Sequence, residues 1–197
     1  NTTGVSDILE ATPEFLAAQL DAVFTDIYPD AVKIGMVASP DLIDVIAERL
    51  HGYGAGKIVV DPVMVATSGA SLISEEALER LKDRLLPEAD LITPNLLEAE
   101  KLAGVKISSP EDMAAAAEAI GRRYGCAVLV KGGHGAGEAD DFLWQEKGHE
   151  WLRAARISNP NTHGTGCTLS SAIASNLALG DSVSEASIKA KQYPVSY

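Results

Sequence analysis

Cysteine is scarce in this chain: Cys126 and Cys167 are the only two among 197 residues. No disulfide framework is implied, and a reducing cytoplasm is the expected setting. Basic residues are also few. Lys and Arg number 16 against 28 Asp and Glu, for a formal net charge of −12. Nucleic acid is therefore not an expected partner, since it calls for a basic face. A local anion site stays open, because backbone amides do not enter a charge count. No apolar run reaches transmembrane length and no signal peptide is visible, so no membrane association is expected. Repeats, low-complexity tracts and linkers are missing as well. With 46% hydrophobic residues, this length suits one domain around one core. No Met opens the chain. Asn1-Thr2-Thr3-Gly4-Val5 and Tyr193-Pro194-Val195-Ser196-Tyr197 read as internal sequence, so a longer polypeptide is expected around them.

What is present alternates between strand-like and helix-like segments, which predicts an α/β fold with a mostly parallel sheet. Strands are expected at Ala31–Val37, Ile58–Val63, Asp90–Pro94 and Cys126–Val130. Helices are expected after the starts at Thr12-Pro13-Glu14, Ser39-Pro40-Asp41, Ser74 and Ser109-Pro110, where a capping residue precedes Pro or acid, and after the cap Asn95. The second helix is expected to run to Leu50 and to break at His51-Gly52-Tyr53-Gly54, and the third to span Ser74–Leu86. Asp141–Trp144 and Trp151–Ile157 read as an antiparallel ribbon, and a last helix starts near Ser184.

The most telling segment is Asn161-Thr162-His163-Gly164-Thr165-Gly166-Cys167-Thr168, a glycine-rich turn that opens a helix. Gly164 and Gly166 let backbone approach a ligand closely. The unpaired N–H groups and positive dipole end of the helix then form an anion site suited to phosphate. Cys167 sits on that turn, where positive potential favours a thiolate. A plain helix-capping turn with a small buried Cys is the competing reading.

Several strands end in polar residues: Asp61 after Val60, Asn95 and Glu98 after Ile92, Lys131 after Val130. Ligands in open α/β sheets bind at the carboxyl ends of strands, so these four converge on one crevice beside the glycine turn. The set suits phosphoryl transfer. Carboxylates and an amide hold Mg²⁺ directly or through its waters, and a Lys neutralises phosphate charge. Each also has a plainer reading. Asp61 before Pro62 suits a turn, Asn95 an N-cap, Glu98 a solvated helix face, and Lys131 a surface strand end. None of the four His shows metal-ligand spacing.

In combination, these motifs resemble a known family. Lys33-Ile34-Gly35-Met36, the Asp61-Pro62-Val63-Met64-Val65-Ala66-Thr67-Ser68-Gly69 run, Thr93-Pro94-Asn95-Leu96-Leu97-Glu98, Val130-Lys131-Gly132-Gly133-His134 and the glycine turn occur in that order. Over nearly its whole length the chain resembles the hydroxymethylpyrimidine phosphate kinases of thiamine biosynthesis, within the ribokinase-like superfamily. The resemblance implies a three-layer α/β/α fold. It implies phosphorylation of 4-amino-5-hydroxymethyl-2-methylpyrimidine and then of its monophosphate, with ATP and Mg²⁺. On this resemblance Gly164, Thr165, Gly166 and Cys167 match the anion hole. Cys167 stands where related sugar kinases carry the Asp base. Asn95 and Glu98 match the motif linked to Mg²⁺ and phosphate, with Asp61 beside them. Lys131 matches a lysine near the ATP phosphates. Met36, Val63 and Val65 match the pyrimidine pocket. A homodimer is expected too. Family members carry a further N-terminal segment that grips the pyrimidine, and a C-terminal stretch, neither of which is found here. Pyridoxal kinase, a Cys167–His163 nucleophilic enzyme and a non-catalytic ligand-binding module are the competing expectations.

Overall fold

The computed structural model describes residues 7, 9–64, 72–132, 140–153 and 165–192. The strands are β1 (Val32–Ile34), β2 (Ile58–Val60), β3 (Leu91–Ile92), β4 (Ala127–Val130), β5 (Asp141–Gln145) and β6 (Gly148–Leu152). They form one sheet in sequence order. β1 to β4 pair in parallel, whereas β5 and β6 are antiparallel additions. The helices are α1 (Pro13–Asp26), α2 (Pro40–Tyr53), α3 (Glu75–Arg80), α4 (Leu96–Ala103), α5 (Pro110–Tyr124), α6 (Thr165–Ala178) and α7 (Val183–Gln192).

Side chains alternate across a strand, so a strand buried on both faces must be apolar throughout. Ile58, Val60, Ile92, Val128 and Val130 point to one face, in a core shared with α1 to α5. Val59, Leu91 and Leu129 point to the other, against Ile173 and Leu177 of α6 and Ala186 and Ala190 of α7. The result is the expected three-layer α/β/α arrangement with a mostly parallel sheet. No described helix is long and apolar enough to cross a membrane.

Several boundaries differ from expectation: β2 ends at Val60 rather than Val63, and β3 spans Leu91–Ile92 rather than Asp90–Pro94. β1 stops at Ile34 rather than Val37. The Asp61 N–H donates to the Ile34 carbonyl at 2.9 Å, but the next N–H on that side of β2, that of Val63, turns back to the Asp61 carbonyl at 2.8 Å and ends the ladder. α2 runs on through Tyr53, whose ring stacks on Phe24 at 4.9 Å and whose hydroxyl donates to Asp21. Gly54, at φ +61°, then supplies the left-handed cap. The Ser74–Leu86 helix is regular only to Arg80. It continues as a π turn, Leu81–Leu85, and a 3₁₀ turn, Leu86–Glu88. The wider turn puts Leu81, Leu85 and Leu86 all in the core just before Pro87. The ribbon pairs Gln145 with Gly148, so β6 begins three residues before Trp151, and residues 154–157 lie outside those described.

Candidate active site

The parallel order of β1 to β4 brings their carboxyl ends to one edge. β2 delivers Asp61, β3 delivers Thr93 and Asn95, and β4 delivers Lys131. An isolated parallel bridge between Asn95 and Lys131 continues the sheet there, with the Lys131 N–H donating to the Pro94 carbonyl at 2.8 Å.

The centre of the site is an ion pair. Lys131 Nζ lies 2.7 Å from Asp61 Oδ1, with side-chain exposures of 15% and 2%. The surface-lysine reading of Lys131 is therefore wrong. Thr93 Oγ1 and Ser170 Oγ each lie 3.4 Å from the Asp61 carboxylate, one on each oxygen. Ser170 also donates to the backbone carbonyl of Gly166 or Cys167, at 3.0 and 3.1 Å. Asp61 thus ties α6 to the strand ends. Its turn reading holds as well, since the Val63 N–H donates to the Asp61 carbonyl at 2.8 Å.

Glu98 is buried at 2% exposure, not solvated. Asn95 and Glu98 close a capping box on α4: the Glu98 N–H donates to Asn95 Oδ1 at 3.0 Å, and the Asn95 N–H donates to Glu98 Oε2 at 2.8 Å. Glu98 Oε1 accepts from the Met64 N–H at 3.4 Å and so holds the chain leaving β2. The cap reading of Asn95 is correct, and the cap is itself part of the site. Burial pushes the Glu98 carboxyl above its ordinary range, helped by the Asp61 charge and opposed by the two N–H donors and Lys131.

That shift has a testable sign. A carboxyl raised on folding binds its proton more tightly in the native state, so its contribution to stability falls as pH rises from its ordinary value of 4.5 through the raised one. The stability of the wild type relative to Glu98→Gln is expected to shrink as the pH is raised above the ordinary value of 4.5 in urea denaturation. A difference that stays constant over that window would contradict the assignment.

α6 starts at Thr165, and Gly166 faces the ion pair: a Cβ there would lie 3.2 Å from Lys131 Nζ and 3.9 Å from Asp61 Oδ2. A side chain there would crowd the ammonium, and the glycine leaves the N-terminus of α6 against the lysine. Cys167 is exposed at the next position. It heads an open groove between α6 and α7 that passes Thr168, Ser171 and Ser175 towards Lys189. Cys126, by contrast, is buried, and burial pushes its thiol up to about 12, with Asp90 adding to the effect. It stays a protonated, inert core residue at neutral pH. It borders a second cavity, beside Gly121 and Trp144, at the amino end of β4 and so away from the site.

Asp61, Asn95, Glu98, Lys131 and Gly166 come together as the sequence predicts. Met36, half exposed just beyond β1, and Val63, half buried after β2, lie at the same edge of the sheet. Val65 and Gly164 lie outside the described residues, as do His134 and His163. Thr93 and Ser170 were not foreseen. The signal for Ser170 is its spacing, one helical turn after Gly166.

With both carboxylates ionised, Glu98, Asp61 and Lys131 would carry one net negative charge in a buried setting. The donor set fits a magnesium ion that keeps its waters, since the carboxylate oxygens already accept protein hydrogen bonds. Among the described residues no cluster of three His, Cys, Asp or Glu offers a protein-only metal cage.

This arrangement has relatives. The family model described as phosphomethylpyrimidine kinase matches residues 1–196. The thiamine biosynthesis bifunctional protein ThiED of Geobacter sulfurreducens is 50% identical over 194 residues, covering 98% of this chain and 40% of that protein. The hydroxymethylpyrimidine/phosphomethylpyrimidine kinase of Salmonella typhimurium is 44% identical, covering 94% of this chain and 72% of the relative. The crystal structure of phosphomethylpyrimidine kinase from Clostridium difficile 630 superposes with a TM-score of 0.89 at 43% identity, covering 98% of this chain and 79% of that one.

Proposed function

The chain belongs to the phosphomethylpyrimidine kinase family, and from that premise we propose that it transfers the γ-phosphoryl group of ATP to hydroxymethylpyrimidine and then to its monophosphate. The chain spans 40% of the bifunctional relative's length, so the reading concerns the kinase activity alone. The observation that carries it is the buried Lys131–Asp61 pair set against the N-terminus of α6 at the carboxyl edge of the sheet.

Lys131 is the cation for the phosphates of ATP, and its ammonium is pre-positioned by Asp61 rather than left on a free stem. The amides that open α6 face the transferring group, where backbone donors stabilise developing charge without reorganising. Glu98 and Asp61 would hold Mg²⁺ through its waters, where the ion neutralises phosphate charge. Met36 and Val63 line the pyrimidine side, and Cys167 is the base for the acceptor hydroxyl.

The two acceptors differ in what they need. A hydroxymethyl group must lose a proton, whereas a phosphate oxygen is already ionised. Cys167→Ala is therefore expected to slow the first transfer by about 10²-fold or more and the second far less, following the usual worth of a general base. Equal losses in both, read by ADP release with each acceptor, would remove Cys167 from the role of base. The same assay tests the function itself. Hydroxymethylpyrimidine is expected to support ADP release at concentrations where pyridoxal does not, and the reverse order would give this site to the sister vitamin.

A further inference from the structure

A second carboxylate–lysine pair stands behind the first. Asp141 opens β5 and, because β5 runs antiparallel to β4, lies one step beyond the Val130–Phe142 pair, beside Lys131. Its Oδ1 accepts from the Gly132 N–H at 3.0 Å. Its Oδ2 lies 2.7 Å from Nζ of Lys191, near the end of α7, with side-chain exposures of 9% and 11%. Neither residue takes part in the chemistry described above, yet both are buried charges at the same edge of the sheet.

The Lys131-Gly132 dipeptide is thus gripped at three atoms. Asp61 holds the Lys131 ammonium, the Pro94 carbonyl accepts the Lys131 N–H, and Asp141 accepts the Gly132 N–H. The chain packs so tightly there that a Cβ on Gly132 would overlap the Asp140 carbonyl oxygen. Asp141 thus anchors the backbone one residue beyond Lys131. A carboxylate this close to a phosphate-binding lysine would repel an anion unless its own charge were matched, and Lys191 matches it.

We infer that Asp141 is a positioning residue for the phosphate cation Lys131, and that Lys191 keeps this support from acting as a repulsive charge on the nucleotide. α7 is then coupled to ATP binding without touching the ligand. The inference rests on the kinase reading above. It assigns three separable effects. Loss of the anchor (Asp141→Ala) frees Lys131. Loss of the counter-charge (Lys191→Met) leaves a buried, uncompensated carboxylate. Loss of both charges with the acceptor oxygen kept (Asp141→Asn with Lys191→Met) is the mildest.

The experiment measures ATP binding by calorimetry, the KM for each substrate, and the melting temperature of each variant. Asp141→Ala is expected to weaken ATP by about ten- to hundredfold, the scale on which a small misplacement of a functional group is felt, with the KM for the pyrimidine unchanged. Lys191→Met is expected to weaken ATP as well, and the Asp141→Asn/Lys191→Met pair to recover most of the loss. Adding Asp141→Ala to Lys131→Met should cost no further ATP affinity, because the anchor acts through the lysine. Lower melting temperatures with ATP binding intact, or additive losses in the Lys131→Met background, would overturn the inference. A wild type that binds no ATP would overturn the kinase reading along with it. A wild type that binds ATP no better than Asp141→Ala would overturn the inference alone.

Discussion

Lys131→Met is expected to lower kcat/KM by about 10²–10³-fold, the loss seen when one pre-positioned electrostatic group is taken from a developing charge. It also strips Asp61 of its counter-ion. Asp61 is 1% exposed, and among the described residues the other hydrogen bonds to its carboxylate are those from two hydroxyls at 3.4 Å. A carboxylate left buried and unpaired costs about 3–5 kcal/mol, which is a large part of a domain's stability. Stability and activity should therefore fall together in the single variant and separate in a double one. Asp61→Asn with Lys131→Met removes both charges, and its urea midpoint is expected to recover while its turnover is not. Turnover near the wild-type rate in Lys131→Met would contradict the role of the lysine. A double variant that recovers activity would contradict it more sharply still.

Gly132→Ala is expected to destabilise the fold and loosen the site at once. A Gly→Ala change in unstrained backbone normally stabilises by about 0.4–1 kcal/mol through the unfolded chain. Here the added methyl meets a backbone carbonyl, that of Asp140, which has no rotamer by which to move aside. Overpacking of this kind costs about 1–3 kcal/mol or more, so the steric term outweighs the entropic one. The Gly132 N–H bond to Asp141 would be displaced by the same shift, and Lys131 is the adjacent residue. The check is the urea midpoint together with the KM for ATP. Both are expected to worsen, and a wild-type midpoint would show that the carbonyl yields more easily than the packing suggests.

Much of this was legible in the sequence because the local signals agreed with one another. Asn95 and Ser109 read as helix starts and both cap their helices, although the return bonds from Glu98 and Asp112 that close the two capping boxes were not foreseen. The apolar runs Ile58–Val60 and Ala127–Val130 announce strands covered on both faces. Polar residues after strands announce the ligand edge, and Asp61, Asn95, Glu98 and Lys131 do meet there. Tertiary effects were not legible. α2 passes the expected break because Tyr53 stacks on Phe24, a partner in another helix. The π turn after Arg80 follows from burying Leu81, Leu85 and Leu86 together, which no propensity encodes. Asp141 reads in sequence as an ordinary first residue of a strand. Its use emerges only when β5 turns back beside β4 and α7 brings Lys191 across.

The central claim is best tested by incubating the protein with ATP, Mg²⁺ and hydroxymethylpyrimidine phosphate and analysing the products by mass spectrometry, with pyridoxal in a parallel tube. The account predicts the pyrimidine diphosphate together with ADP, and their loss in Lys131→Met. Intact ATP and unchanged substrate in the first tube, or phosphorylation of pyridoxal alone, would contradict it.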